Sequence, residues 1–313
     1  MMYNLCICGA TGLVGMKMLE VLEKSELKIK KITLLASSRS AGKIIRFKKQ
    51  DHTVSELNEN SFDDMDIVLF ALESQLAAYY VPIAIKKGCI VIDNSSYFRL
   101  YNDVPLISYD VNVDDIKNSK LIANPNCSTI QASIVLKSLQ EFAIKRLTIV
   151  TLQAVSGSGS RGVDALDGKN LFYGDDIRKT CIAKIGNFLE NGYTEEEIKM
   201  HHEINKIFHQ NWEISATCIR VPIYNGHSIS IECEFETDVN VDEIIASLSK
   251  NPQVVIVDSY PTVLMCQNEM QVYVGRIRQN MDSLNKITLF CVADNLLVGA
   301  ASNACNILNK IKS

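Results

Sequence analysis

Tyr3-Asn-Leu-Cys-Ile-Cys-Gly-Ala-Thr-Gly-Leu-Val-Gly15 is the stretch on which the fold turns. Tyr3 to Cys8 reads as a short apolar strand, and the residues after Gly15 read as a helix through Val21. Gly9, Gly12 and Gly15 between them allow a tight turn and a close approach of backbone to a pyrophosphate at a helix N-terminus. A glycine triplet alone also fits an ordinary strand-to-helix turn; the strand before it and the helix after it favour a dinucleotide site. The alternation then continues, with strands at Lys31–Ala36, Asp66–Ala71 and Cys89–Ile92 and a helix from Leu76 to Lys86. Near-continuous apolar strands in this rhythm predict a parallel, doubly wound sheet of the Rossmann type.

The end of the second predicted strand bears on cofactor choice. A site selecting NAD would carry an acidic residue there to hold the ribose 2′-hydroxyl. This chain has Ser37-Ser-Arg39-Ser40-Ala-Gly42 instead, an arginine flanked by hydroxyls that suits a 2′-phosphate. NADP is therefore expected over NAD, although Arg39 also reads as a solvated surface charge. Asp93-Asn-Ser-Ser-Tyr-Phe-Arg99 follows another strand, where open α/β sheets place ligands. Arg99 there is either an anion clamp or one half of a structural ion pair.

The chemistry is expected at Ile122-Ala-Asn-Pro-Asn-Cys-Ser-Thr-Ile130. Leu121 to Ala123 end a buried strand, and Pro125, with no N–H to give, breaks the ladder. Ile130, Ile134, Val135, Leu139 and Phe142 then recur at mostly three- and four-residue steps, an amphipathic helical period. Cys127 falls in the first turn of that helix. Free N–H groups and the positive dipole end favour a thiolate there, so its pKa is expected below the free value of about 8.5. The plainer reading is a buried structural thiol.

From Leu147 the pattern changes to a second domain. Thr148–Leu152 and Ser228–Phe235 read as strands, and Val254–Val257, Gln271–Val274 and Ile287–Val292 read extended, which predicts a largely antiparallel sheet. The Ser/Gly cluster at 156–159 lacks the glycine spacing of a serine-hydrolase elbow and reads as a turn. Thr194 caps a charged helix running to Phe208. His202-Glu203 opens a metalloprotease-like pattern, but Lys206 ends it, so no metal is expected and His201, His202 and His209 read as surface residues. Arg220 and His227 stand seven apart across a bend set by Pro222 and Asn225-Gly226, making His227 the best of the five histidines for a base. The last helix, through Ile311, begins near small residues at 299–302 and is expected to return to the nucleotide domain. The expected domains are 1–126 with 293–313, which bind the nucleotide, and 127–292, which carry catalysis and dimerisation.

With 313 residues, 47% of them hydrophobic, and a net charge of −4, the chain can bury two cores and lacks a basic footprint for nucleic acid. The N-terminus has no signal-peptide character, and no run approaches a membrane span. Ten cysteines without a CxxC pair suit reduced thiols in the cytoplasm.

Together these segments resemble the aspartate-semialdehyde dehydrogenase family. The resemblance covers most of the chain and rests on Gly9–Gly15, Ala36–Gly42, Asp93–Arg99, Pro125-Asn-Cys-Ser-Thr-Ile-Gln131, Gln153-Ala-Val-Ser-Gly157, Glu196-Glu-Ile-Lys-Met200, Arg220-Val-Pro, Gly226-His-Ser, Val274-Gly-Arg-Ile-Arg278 and Ala293-Asp-Asn-Leu296. It implies a glyceraldehyde-3-phosphate-dehydrogenase-like α/β architecture and an NADP-dependent interconversion of L-4-aspartyl phosphate with aspartate semialdehyde plus phosphate. That reaction serves lysine, diaminopimelate, threonine and methionine synthesis. It also implies that Cys127 is the nucleophile, His227 the acid/base, and Gln153 the residue orienting the acyl intermediate. Arg220 would hold the substrate carboxylate and Glu196 its ammonium, while Arg99, Asn126 and Lys199 bind phosphate. The cofactor would contact Gly9, Thr11, Gly12, Leu13, Val14, Gly15, Ser37, Arg39, Ser40 and Asn295. A homodimer, or a tetramer built from dimers, is implied. The stretches between Gly157 and Glu195 and after Pro261 are shorter than the family leads one to expect. Val298 stands where Lys or Arg is expected. A silent NADP-binding sensor would need only the glycine loop and Arg39, not Cys127, Gln153, Arg220 and His227 together.

Overall fold

The computed structural model describes residues 2–311. The chain divides into two compact units, Met1–Pro125 with Ala300–Ser313, and Asn126–Gly299.

In the first unit β1 (Tyr3–Cys8) leads through the glycine loop into α1 (Leu13–Lys24). There follow β2 (Ile29–Ala36), the hairpin β3 (Ile44–Phe47) and β4 (Gln50–Thr53), β5 (Ser55–Glu56), β6 (Ile67–Phe70), α2 (Ser74–Lys86), β7 (Ile90–Asp93), α3 (Tyr109–Asn112) and β8 (Leu121–Ala123). The expected parallel sheet is present, six strands in the order β5-β2-β1-β6-β7-β8. Order reverses at β1, the switch point where such sheets open a crevice for ligands. All four residues of β6 are buried, as two-sided cover by helices requires.

In the second unit come α4 (Cys127–Leu139), β9 (Ile144–Gln153), α5 (Gly159–Leu166), α6 (Glu195–Phe208), β10 (Glu213–Arg220), β11 (His227–Phe235), α7 (Val241–Ser249), β12 (Val254–Ile256), β13 (Val272–Gln279) and β14 (Lys286–Ala293). The sheet order is β10-β9-β11-β14-β13-β12. Its three central pairings are antiparallel, but both edge strands pair parallel, β10 with β9 and β12 with β13, so the sheet is mixed. The long connection through α5 and α6 makes the first parallel pairing available, since parallel neighbours need a crossover. Helix α4 packs on β9, β11, β13, α6 and α7. It is buried on nearly every side, including Ser128, Thr129, Gln131 and Ser133, rather than along one stripe.

The last helix, α8 (Asn303–Lys310), packs with α1, α3 and β7 of the first unit. Two expected boundaries shift. Asn126 belongs with the second unit, and the return to the first comes at Ala300 rather than at residue 293. The cause is hydrogen bonding: Asp294 accepts from Asn225 Nδ2 and from Asn268 N–H, and Asn295 accepts from Gly226 N–H, all in the second unit.

Gly9 and Gly15 are fixed by space. A Cβ on Gly15 would stand 2.2 Å from Gly9 O, and one on Gly9, at φ +84°, 2.3 Å from Ala71 O. On Gly12 it would meet Gly9 O only at 3.3 Å. Gly15→Ala is therefore expected to lose about 2 kcal/mol in urea unfolding, since backbone must move, while Gly12→Ala loses clearly less. Equal losses would contradict this account of the loop.

Candidate functional site

In the first unit the loop makes the tight strand-to-helix turn that its spacing predicts. Gly12 is the N-cap of α1 and offers no side-chain cap, so Leu13, Val14 and Gly15 open the helix with backbone N–H groups. Thr11 lies within the loop, between Gly9 and Gly12. The close packing at Gly9 and Gly15 leaves a cradle of bare backbone, which fits a diphosphate. Ser37 caps a 3₁₀ turn, Ser38–Ser40, directly after β2, and Arg39 on that turn is exposed. Arg99 is buried, and its Nη2 donates to Asn94 O at 2.7 Å, just beyond the carboxyl end of β7.

In the second unit the sheet register gathers the reactive groups. β9 and β10 run parallel and end together, so Arg220 lies opposite Gln153. β11 runs the other way, so its first residue, His227, sits at the same end of the sheet, opposite Ala293 of β14. The bend between Arg220 and His227 thus joins β10 to β11 across the end of β9, which lies between them. Cys127 stands at the first position of α4, and its Sγ is 3.2 Å from His227 Nε2 and 3.3 Å from Asn126 Oδ1.

The other side of the imidazole settles its proton. Ala154 N–H donates to Nδ1 at 3.0 Å. A neutral ring carries one N–H, which is then on Nε2 and points at the sulfur. Burial first, then the Arg220 charge, push His227 down to about 3, against the opposing pull of Glu196 and the Gly226 backbone, so the ring is neutral at pH 7. The acid/base role expected of His227 meets one constraint: to accept a proton at Nε2, the ring would have to place Nδ1–H against the Ala154 N–H. In this geometry His227 is a donor to the sulfur.

Ala154 fixes a second group through its carbonyl, which accepts from Arg220 Nη1 at 2.6 Å. Arg220 is buried, and its Nε has no hydrogen-bond partner. A buried guanidinium edge left open in this way suits a carboxylate.

Glu196 and Lys199 lie on one face of α6, which a capping box starts: Glu197 accepts from Thr194 N–H, and Thr194 Oγ1 from Glu197 N–H. Glu196 Oε1 accepts from Asn126 Nδ2 at 2.6 Å and Gln153 Nε2 at 3.2 Å, and Oε2 from Lys199 Nζ at 3.3 Å. Burial would raise this carboxyl, but Lys199, Asn126, Arg220 and Gln153 outweigh it and hold Glu196 at about 2. A carboxylate has about four acceptor positions, so Oε2 keeps one for a further donor. Asn295 Oδ1 accepts from Gly226 N–H at 2.8 Å, and its Nδ2 donates to Ser156 Oγ at 3.0 Å, steadying the turn before His227.

Sequence reasoning missed four contributors. Ala154 acts through backbone alone. Gly157, taken as part of a turn, leaves little room for a side chain, because a Cβ there would lie 3.0 Å from Arg220 Nη1 and 3.4 Å from the His227 ring. A Cβ on Gly299 would lie 2.6 Å from Cys127 Cβ. Glu203, fully buried, accepts from Asn126 N–H at 2.7 Å. Its spacing of seven from Glu196 on α6 was the available signal. By contrast Cys218, Cys291 and Cys305 are buried structural thiols, each pushed up to about 12 by burial. Among the described residues no cluster of His, Cys, Asp and Glu could hold a metal, and no helix is long and apolar enough to cross a membrane.

Residues 4–119 match the family model for the semialdehyde dehydrogenase NAD binding domain, and residues 136–298 match that for the semialdehyde dehydrogenase dimerisation domain. The aspartate-semialdehyde dehydrogenase of Campylobacter jejuni is 40% identical, over 98% of this chain and 96% of its own. The crystal structure of aspartate semialdehyde dehydrogenase II from Vibrio cholerae, complexed with ASA, superposes with a TM-score of 0.94 at 36% identity, covering 100% of this chain and 98% of the other. The Candida albicans aspartate semialdehyde dehydrogenase with NADP gives a TM-score of 0.79 at 26% identity, over 100% and 99% of the two chains. A sulfur facing an imidazole at the end of a mixed sheet thus occurs in a sequence that aligns along nearly its whole length with these enzymes, and the chain belongs to the aspartate-semialdehyde dehydrogenase family.

Proposed function

We propose that this protein reduces L-4-aspartyl phosphate to L-aspartate 4-semialdehyde and phosphate, and runs the reverse, through a thioester on Cys127. The reaction and its place in the route to lysine, threonine and methionine follow from the family. The observation that carries the assignment of residues is the 3.2 Å approach of Cys127 Sγ to His227 Nε2, with Arg220 and Glu196 fixed around it.

The Cys127 thiolate, held by the Nε2–H donor and the start of α4, attacks the acyl carbon, and phosphate leaves with the bonding pair. A nicotinamide cofactor, when bound, would supply hydride for reduction of the thioester. His227 Nε2–H then donates to the oxyanion, whose collapse returns the thiolate and frees the aldehyde. Gln153 orients the acyl group, and Arg220 takes the substrate carboxylate along its open Nε edge. Glu196 offers its remaining acceptor position to the substrate ammonium. Arg99, Asn126 and Lys199 hold the phosphate.

NADP is the cofactor in this reading. The uncapped start of α1 would take its diphosphate, Arg39 with Ser37 and Ser40 would take its 2′-phosphate, and Asn295 would contact its nicotinamide. The dimerisation-domain match over residues 136–298 supports a homodimer, and the cytoplasm is the proposed compartment.

Cys127→Ala is expected to abolish phosphate-dependent NADP reduction by aspartate semialdehyde, followed by NADPH absorbance, while a thermal melt stays near the parent's. Full turnover in that variant would refute the thioester route. Arg39→Ala is expected to weaken NADP binding about tenfold and leave NAD binding unchanged, as loss of a charge-assisted contact would. Parallel losses for both nucleotides would remove Arg39 from the 2′-phosphate.

The neutral imidazole has a consequence for stability. Its folded pKa of about 3 lies below the unfolded value of about 6.5, so the unfolded chain binds the extra proton first. The stabilisation is present above the unfolded pKa and is lost as pH falls from about 6.5 toward the folded value, at about 1.4 kcal/mol per pH unit. Between pH 6.5 and 5 the parent should lose about 2 kcal/mol through this group. Urea unfolding of His227→Asn should show a correspondingly flatter pH profile; identical slopes would mean the ring is not held neutral.

A further inference from the structure

We propose that Glu203 is a positioning residue for the nucleophile, a carboxylate that caps the start of α4 from a different helix. The proposal rests on Cys127 being the reactive thiol and assigns a role to a residue outside the substrate contacts.

Asn126 is the N-cap of α4, and its Oδ1 accepts from Ser128 N–H at 3.0 Å. A capping box would complete this with Glu or Gln at the third helical position, reaching back to the N-cap N–H. That position is Thr129, whose hydroxyl instead donates to Met200 Sδ at 3.7 Å. Glu203 of α6 takes the missing part, accepting from Asn126 N–H at 2.7 Å. The short distance fits a charge-assisted bond, and Glu203 is 0% exposed, where a carboxylate has to have donors.

Asn126 is thereby held at both ends by one helix. Glu196 accepts from its side-chain amide, and Glu203, two turns later on the same face, from its backbone amide. Cys127 is the next residue, and its sulfur has to meet His227 Nε2 at 3.2 Å. Without the Glu203 acceptor, the Asn126 peptide is free to rotate, and the direction of the Cys127 side chain turns with it.

The test compares Glu203→Ala, Glu203→Gln and Glu203→Asp. Gln keeps an acceptor oxygen at the same reach without the charge, whereas Asp keeps the charge but draws it back by one methylene. Two readouts are taken on folded protein: the rate of Cys127 alkylation by iodoacetamide, resolved by mass spectrometry of its peptide, and kcat and KM for aspartate semialdehyde. Glu203→Ala is expected to slow alkylation and kcat about tenfold or more, with KM within about twofold of the parent. Glu203→Gln should recover both rates to within about threefold of the parent.

Parent-like alkylation and kcat in a folded Glu203→Ala would overturn the proposal. So would a Glu203→Gln as slow as Glu203→Ala. If Glu203→Ala does not fold, the other two decide: a fast Gln variant with a slow Asp variant supports positioning, and equal rates overturn it. Alkylation needs no substrate, so a failure of the assigned reaction would show separately, as a parent protein that forms no NADPH from the semialdehyde.

Discussion

The second unit is built around a helix start that has nowhere to hide. α4 begins in the interior, and its first turn carries Asn126, Cys127, Ser128 and Thr129, of which all but Cys127 are fully buried. Buried polar groups left unpaired cost about 1–3 kcal/mol each, which favours partners in their surroundings. Glu196 and Glu203 answer Asn126, and Met200 receives Thr129, while the Ser128 hydroxyl has no partner among the described residues. The face of α6 that does this is set by helical geometry, since residues three, four and seven apart share one side. Satisfying the helix start and holding the nucleophile are one requirement.

The same economy appears at Ala154. Its peptide N–H and C=O are spent on the two side chains that handle charge, His227 through Nδ1 and Arg220 through Nη1. β9 ends one residue earlier, so this peptide has left the ladder and its groups are free to point into the site. The electrostatic result is consistent within itself. Burial first and then Arg220 keep His227 neutral, while Lys199, Asn126, Arg220 and Gln153 outweigh burial to keep Glu196 ionised. The site thus holds a carboxylate that stays charged and an imidazole that offers a proton without carrying a positive charge.

How much of this a sequence reveals depends on the range of the contact. The glycine loop and the Pro125–Cys127 turn were legible because their physics is local: φ, missing N–H groups and a helix period within a dozen residues. Arg220 and His227 were legible as candidates, but their meeting was not, because it needs the register of β9, β10 and β11. Ala154 gave no signal, since its function lies in atoms every residue has. Glu203 was read as part of a failed metal pattern, because its partner is a backbone amide 77 residues away. The amphipathic reading of α4 found its apolar stripe and missed the buried polar side, as hydrophobic period reports only the first. The strands were placed well and their directions less so, because antiparallel and parallel edges look alike until the crossovers are known.

Two glycines carry the last step. Gly157 borders Arg220 and His227, and Gly299 borders Cys127, so on two sides the reactive groups meet backbone rather than side chain. Backbone cannot rotate aside as a side chain can, and a Cβ at either place would have to displace the groups that react. Gly299 lies within a π-helical turn, Leu297–Ser302, a form of helix that widens to accommodate an extra residue. Its N–H returns to Asp294 O at 3.2 Å, and Asp294 is itself tied to Asn225, next to Gly226. The wall behind the sulfur is therefore anchored to the turn that delivers the imidazole. A change in either one reaches the other through Asp294, which makes the Cys127–His227 distance a property of this whole loop system rather than of the pair.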